Sequence, residues 1–172
     1  MSKRPAGHDL YEATLVEVGR ITTTWAKFEH WIDVAIWYLA GLDDRKGACI
    51  TTQLGSIHAK FRSLQALLVE ADRPKTIQKE VARLADHAAS VVKIRNKFAH
   101  GPLDMGVNLD TREFEVYLKN ISIGGKNALT LSSETLTTEE LRKAQESVSK
   151  LYQRLLELWN DIVDLPRAEE LG

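Results

Sequence analysis

The sequence predicts a mainly α fold, an antiparallel bundle of four long helices with a small inserted β-hairpin, in a single domain covering residues 1–172. Three observations predict it. Apolar residues recur at steps of three and four through four long stretches, the spacing of one face of an α-helix. Glycine, proline and aspartate fall between the stretches, where one helix must stop and the next begin. Between Asp104 and Thr137 the helical period gives way to alternation, the pattern of a half-buried strand.

The first helix is expected over residues 9–40, where Leu15, Val18, Trp25, Ile32, Ile36 and Leu39 share one face. Gly41 supplies a stop, and the Asp43-Asp44 pair a cap for the second helix, because a short carboxylate accepts from the free amides of a first turn. The second helix carries the stripe Ile50, Leu54, Ile57, Phe61, Leu64 and Leu68 and fades at Ala71-Asp72-Arg73-Pro74. Pro74 suits the first turn of the third helix, whose stripe is Ile77, Val81, Leu84, Ala88, Val91, Arg95 and Phe98. Gly101-Pro102 ends it, since the residue before proline avoids the helical region.

Phe114-Glu115-Val116-Tyr117-Leu118 alternates as a strand, Ala128-Leu129-Thr130-Leu131 is a partner for it, and Gly124-Gly125-Lys126-Asn127 forms the tip of a β-hairpin near 112–132. A capping box, Thr137 with Glu140, opens the fourth helix, along which Leu141, Ala144, Val148, Leu151, Leu155, Leu158, Ile162 and Leu165 form a stripe that serves a core or a dimer seam equally well. The tail after Pro166 is polar and expected to fray. No internal repeat or low-complexity tract divides the chain.

Composition excludes several classes of function. With 23 Lys and Arg against 24 Asp and Glu, the formal net charge is -1, so no broad electrostatic attraction draws the chain to nucleic acid or acidic lipid. Any nucleic-acid contact must be local. The single cysteine, Cys49, cannot close an intrachain disulfide. No apolar run follows the charged N-terminus, and the longest apolar stretch, around residues 31–42, contains Asp33 and falls short of the roughly 20 residues that span a bilayer. A cytoplasmic protein with no membrane association is expected.

His8, His30, His58 and His87 have no metal-ligand spacing, and nucleophile elbows, phosphate-cradling glycine loops and dinucleotide fingerprints are missing. Neither metal nor cofactor is expected. The spacing of Trp25, Trp31, Trp37 and Trp159 assigns them to packing rather than to base stacking. No helix-turn-helix with a basic recognition helix is evident.

Two charges stand where the helical period asks for an apolar residue, Glu29 in the first helix and Arg95 in the third. Burying an unpaired charge costs several kcal/mol, so the two are expected to approach each other or to share a polar pocket. Around Arg95 the segment Lys93 to His100 gathers Lys93, Arg95, Lys97 and His100 within eight residues of an otherwise neutral chain. Metal-free RNA cleavage needs a base for the 2′-hydroxyl, an acid for the leaving oxygen and a cation for the developing phosphorane charge, and histidine and arginine are suitable types for these roles, while a histidine beside an arginine at a helix end equally suits capping and ion pairing. On a regular helix Arg95 and His100 project about 140° apart. The Gly101-Pro102 break is expected to loosen the last turn and let His100 swing towards the face of Arg95.

Arg95-Asn96-Lys97-Phe98-Ala99-His100 resembles the Arg-polar-x3-His signature of the HEPN superfamily, and the helical remainder is similar to that family throughout. The resemblance implies a bundle that dimerises with the two motifs facing each other across the two-fold axis, each protomer supplying one histidine. It implies a metal-independent endoribonuclease of toxin-antitoxin or antiviral type. Arg95, Asn96 and His100 would be its catalytic residues, Glu29, Lys93 and Lys97 would support them, and a protein antitoxin would be a candidate partner. Where one branch of the family has a modified tyrosine two residues after the histidine, this chain has Pro102, so that modification is not expected. Noncatalytic members imply an alternative, a helical protein-interaction module.

Overall fold

The computed structural model describes residues 6–123 and 129–163; the expected hairpin tip and the N- and C-terminal segments, including Leu165 and Pro166, lie outside the described residues. The chain is mainly helical, with a small antiparallel sheet. In order the elements are α1 (Ala6–Leu39), α2 (Asp44–Thr51), α3 (Ile57–Glu70), α4 (Lys75–His100), β1 (Leu103–Val107), β2 (Phe114–Ile123), β3 (Leu129–Leu136) and α5 (Thr138–Val163). Among the described residues no helix is long and apolar enough to cross a membrane.

The helix boundaries obey local chemistry. Gly41 takes the left-handed conformation, φ +64°, that lets α1 stop without a Cβ clash. Asp43 then caps α2 by accepting from the amides of Arg45 and Lys46. The second long helix expected from the stripe is in fact two helices. Ser56 starts α3 by accepting from the Ala59 amide, while the Thr52 hydroxyl donates back to Ala48 O as α2 ends, so Ile50 is 48% exposed rather than part of the core. The capping box at α5 is complete: Thr137 N donates to Glu140 Oε2 at 2.9 Å and Glu140 N to Thr137 Oγ1 at 3.2 Å.

The expected hairpin is likewise larger. Its two strands are β2 and β3, but β1 adds a third, giving a sheet in the order β1-β2-β3 with Leu103 opposite Leu118 and Val116 opposite Leu136. A two-stranded hairpin is marginal in water, and the added strand contributes apolar residues to one face. That face carries Leu103, Met105, Val107, Phe114, Val116, Leu118 and Leu136, and the other carries Asp104, Glu115, Tyr117 and Thr135. On the polar face Asn108 and Thr135 donate to the Glu115 carboxylate at 2.8 and 3.3 Å. The Asn108 bond, followed by one from Tyr117, holds that carboxyl below the usual glutamate range.

The chain forms two compact units, Met1–Thr23 with Lys93–Ser147, and Thr24–Val92 with Val148–Gly172; the divisions fall inside α1, α4 and α5, so each of these helices supplies a segment to both. In the second unit the stripes form a core of Trp25, Phe28, Ile32, Phe61, Leu64, Leu68, Val81, Leu84, Leu151, Leu155 and Ile162, all at most 2% exposed. Each such side chain contributes roughly 1.5–3 kcal/mol on leaving water. The tryptophans are structural here: Trp31 stands edge-on to Trp159 at 4.6 Å, and Trp37 Nε1 donates to Thr51 Oγ1 at 3.1 Å. A largely buried ion pair, Lys60 to Asp33 at 2.8 Å, ties α3 to α1.

In the first unit the apolar face of the sheet meets helix ends. Leu118, fully buried, packs on Gly101 so closely that a Cβ there would lie 2.5 Å from Leu118 Cδ1. Lys119 N donates to Pro102 O at 2.9 Å beside this contact. The sheet is therefore fastened directly behind the last turn of α4, where the sequence motif lies.

Candidate functional site

The segment Lys93 to His100 forms the last two turns of α4. The expected loosening of the final turn does not occur. The Gly101 amide donates to Lys97 O at 3.2 Å, so the helical ladder is held through His100 and the chain departs only at Pro102. Arg95 and His100 consequently keep the separation of about 140° that a regular helix gives them.

This regularity sorts the site residues onto two faces. Taking about 100° per residue, Lys93, Asn96, Lys97 and His100 fall within an arc of about 100°, and Arg95 falls with Val91 and Phe98. Burial agrees. Lys93, Asn96 and His100 are exposed and Lys97 half-buried, whereas Val91 and Phe98 are buried and Arg95 half-buried. Arg95 nonetheless reaches the outer face, because its long side chain lets Nη1 donate to Asn96 Oδ1 at 2.9 Å. That bond fixes which end of the Asn96 amide faces the guanidinium and leaves its NH2 group directed elsewhere.

Of the residues expected at the site, the structure brings Arg95 and Asn96 into contact and sets Lys93, Asn96, Lys97 and His100 on one surface. Glu29 is half-buried in the part of α1 that belongs to the second unit, while Arg95 belongs to the first. Another residue joins the site from the sheet. Lys97 Nζ lies 2.8 Å from Glu134 Oε1, and the two side chains are 32% and 45% exposed. Glu134 stands opposite Leu118, on the sheet face that otherwise carries Val116 and Leu136. A signal for it existed in the sequence: on strand β3 Glu134 alternates in phase with Leu136, which puts both on one side of the sheet.

Elsewhere, His8, Asp9 and Glu12 bring one candidate metal-ligand atom each within 4.8 Å of the others. All three are exposed near the start of α1, where free amides favour anions over cations, and His8 Nδ1 lies 3.5 Å from Glu12 Oε1. His8 and Glu12 pair one turn apart at the helix start, with Asp9 beside them. A cavity of about 270 Å³ lies between α1 and α5, lined chiefly by Leu10, Ala13, Val16 and Leu141, with Arg20 and Glu17 paired at its rim. It holds none of the motif residues.

What the α4 surface can do chemically is bind an oxyanion through Lys93, Lys97 and the Asn96 amide, and exchange a proton at the His100 imidazole. It offers one imidazole per chain, enough for an acid or a base in a given step but not both. No family model, curated protein or solved structure matches the chain, so a functional assignment rests on these side chains.

Proposed function

We propose that the chain is a metal-independent endoribonuclease of HEPN type that acts as a homodimer, with the two α4 termini facing each other across the two-fold axis. The observation that carries the reading is the single outer face on which α4 presents Lys93, Asn96, Lys97 and His100, backed by the Arg95 to Asn96 hydrogen bond. Four helix-derived groups of those types on one exposed surface fit a phosphodiester better than they fit packing. In this reading the helical elements form the family's antiparallel bundle, and the sheet is an addition fastened behind the motif.

Two copies of the site complete the chemistry. His100 of one protomer, neutral, takes the proton from a ribose 2′-hydroxyl while the 2′-oxygen attacks phosphorus. The P–O5′ bond breaks, and His100 of the partner subunit, protonated, delivers a proton to the leaving oxygen. The products are a 2′,3′-cyclic phosphate and a 5′-hydroxyl end. Asn96 and the lysines bear the charge that grows on the non-bridging oxygens, and Arg95 is a positioning residue for Asn96. Such an enzyme suits a toxin or antiviral role in the cytoplasm, with a protein antitoxin covering the α4 face.

The test is cleavage of a mixed RNA pool in EDTA by the full chain, beside His100→Ala and Arg95→Ala variants shown to be folded and in the same oligomeric state. Expected is cleavage that leaves cyclic phosphate ends and falls about 10²- to 10⁴-fold with His100→Ala. A folded, dimeric wild type that leaves the pool intact would replace this reading with the noncatalytic interaction module. The Lys97 to Glu134 ion pair, which satisfies one cation of the face internally, favours that alternative.

A further inference from the structure

On β3 Glu134 lies between Leu136 and Ser132, on the side of the sheet that also carries Leu118. Its neighbour on the same side of β3, Leu136, is 8% exposed, and Leu118, opposite it on β2, is fully buried. Its own side chain stays 45% exposed, and beside these two leucines it meets Lys97 Nζ at 2.8 Å. The pair is held by architecture rather than by chance contact of two long side chains, because Leu118 on Gly101 and the Lys119 amide on Pro102 O lock the sheet against the end of α4. Lys97 in turn lies one turn before His100, about 60° from it around the helix, on the surface proposed to take the scissile phosphate.

Carboxylate and phosphate oxygens compete for the same ammonium donors. Both members of the pair are partly open to water, so the pair is weak and can be exchanged for another oxyanion. We propose that Glu134 is a built-in competitor of RNA phosphate: it occupies Lys97 in the free protein, and a bound phosphodiester must displace it. This rests on the α4 face being an RNA site. Glu140 also acts on Lys97 at longer range, but its carboxylate is held by the Thr137 amide and hydroxyl at the start of α5 and does not exchange.

The competition has a salt signature. When wild type binds, the counterion released from the phosphate that Lys97 contacts is offset by one taken up at the vacated Glu134. Glu134→Gln removes that offset, so the slope of log K against log salt steepens by about 0.7 for single-stranded RNA. Affinity rises about two- to fivefold, the range by which partly exposed ion pairs shift an equilibrium.

The experiment is fluorescence anisotropy of a labelled 2′-O-methyl oligonucleotide, which lacks the attacking hydroxyl and so reports binding alone. The full-length wild type, Glu134→Gln and the Lys97→Met/Glu134→Gln double variant are titrated at several salt concentrations, with folding of each checked by circular dichroism. Tighter binding and a steeper slope for Glu134→Gln, both abolished in the double variant, are expected. Wild-type binding that Glu134→Gln leaves unchanged overturns the competition and leaves the RNA site standing. A gain that survives in the double variant also overturns it, since net charge rather than release of Lys97 would then be the cause. Absence of binding by every folded variant removes the RNA site and the competition together.

Discussion

Replacing Leu118 by alanine tests whether the sheet is packed on the end of α4 as described. The side chain is fully buried and seated against Gly101, and the position faces a backbone with no Cβ to relax into the space left behind. Leucine-to-alanine changes at buried sites cost about 2–5 kcal/mol, according to how far the surroundings collapse. For Leu118 the middle of that range, about 3 kcal/mol, is expected. In a chain of this length each kcal/mol moves the melting temperature by about 2–4 °C, so a fall of about 6–12 °C is expected.

The assay has a second readout. Trp25, Trp31, Trp37 and Trp159 all belong to the second unit, whereas Leu118 belongs to the first. Because α1, α4 and α5 run unbroken through both units, unfolding should be cooperative, and tryptophan fluorescence should shift with far-ultraviolet circular dichroism. A melting temperature within about 2 °C of wild type would refute the packing of Leu118 on Gly101. A fluorescence transition that stays in place while the dichroism transition moves would refute the coupling through the helices.

Two further outcomes are expected from the same structure. Lys60→Met leaves Asp33, 16% exposed, with an unneutralised carboxylate whose Oδ1 already has no donor among the described residues, and should cost about 2–4 kcal/mol in urea denaturation; Asp33→Asn with Lys60→Met should recover most of that, and a cost unchanged in the double variant would show the loss to be steric. The Glu140 carboxyl is held below the usual glutamate range by the Thr137 amide, then by the Thr137 hydroxyl, so its folded value is depressed, and the stability it contributes is present above the unfolded value and lost as pH falls through the folded one. The stability gap between wild type and Glu140→Gln, tracked by thermal melts, should therefore be constant near neutrality and close on acidification below the ordinary glutamate range; a gap that widens there would reverse the assignment.

The helices were largely legible in the sequence because their determinants are local. Asp43 and the Thr137 to Glu140 box marked helix starts through hydrogen bonds spanning two or three residues, and Gly101-Pro102 marked the end of α4. Apolar periodicity continues across Thr52 to Ser56 and makes α2 and α3 look like one helix, although Gly55-Ser56 is itself a break and a cap. β1 is not legible in the sequence because Leu103-Asp104-Met105-Gly106-Val107 is short and comes directly after proline, so it becomes a strand only by pairing with β2.

The candidate site divides in the same way. The sequence shows which groups crowd the end of α4, but its Gly101-Pro102 break predicts a loosened last turn that carries His100 towards Arg95 rather than onto one face with Lys93, Asn96 and Lys97. It could not determine that the final turn would stay wound, which depends on the Gly101 amide completing its bond to Lys97 O against the pull of Pro102. Nor could it join Lys97 to Glu134, 37 residues away, because that contact exists only once three strands have registered and Leu118 has seated on Gly101. Helix-forming bonds reach four residues along the chain and can be read from it, whereas the charge balance of the site depends on packing between distant segments and is decided by the tertiary structure.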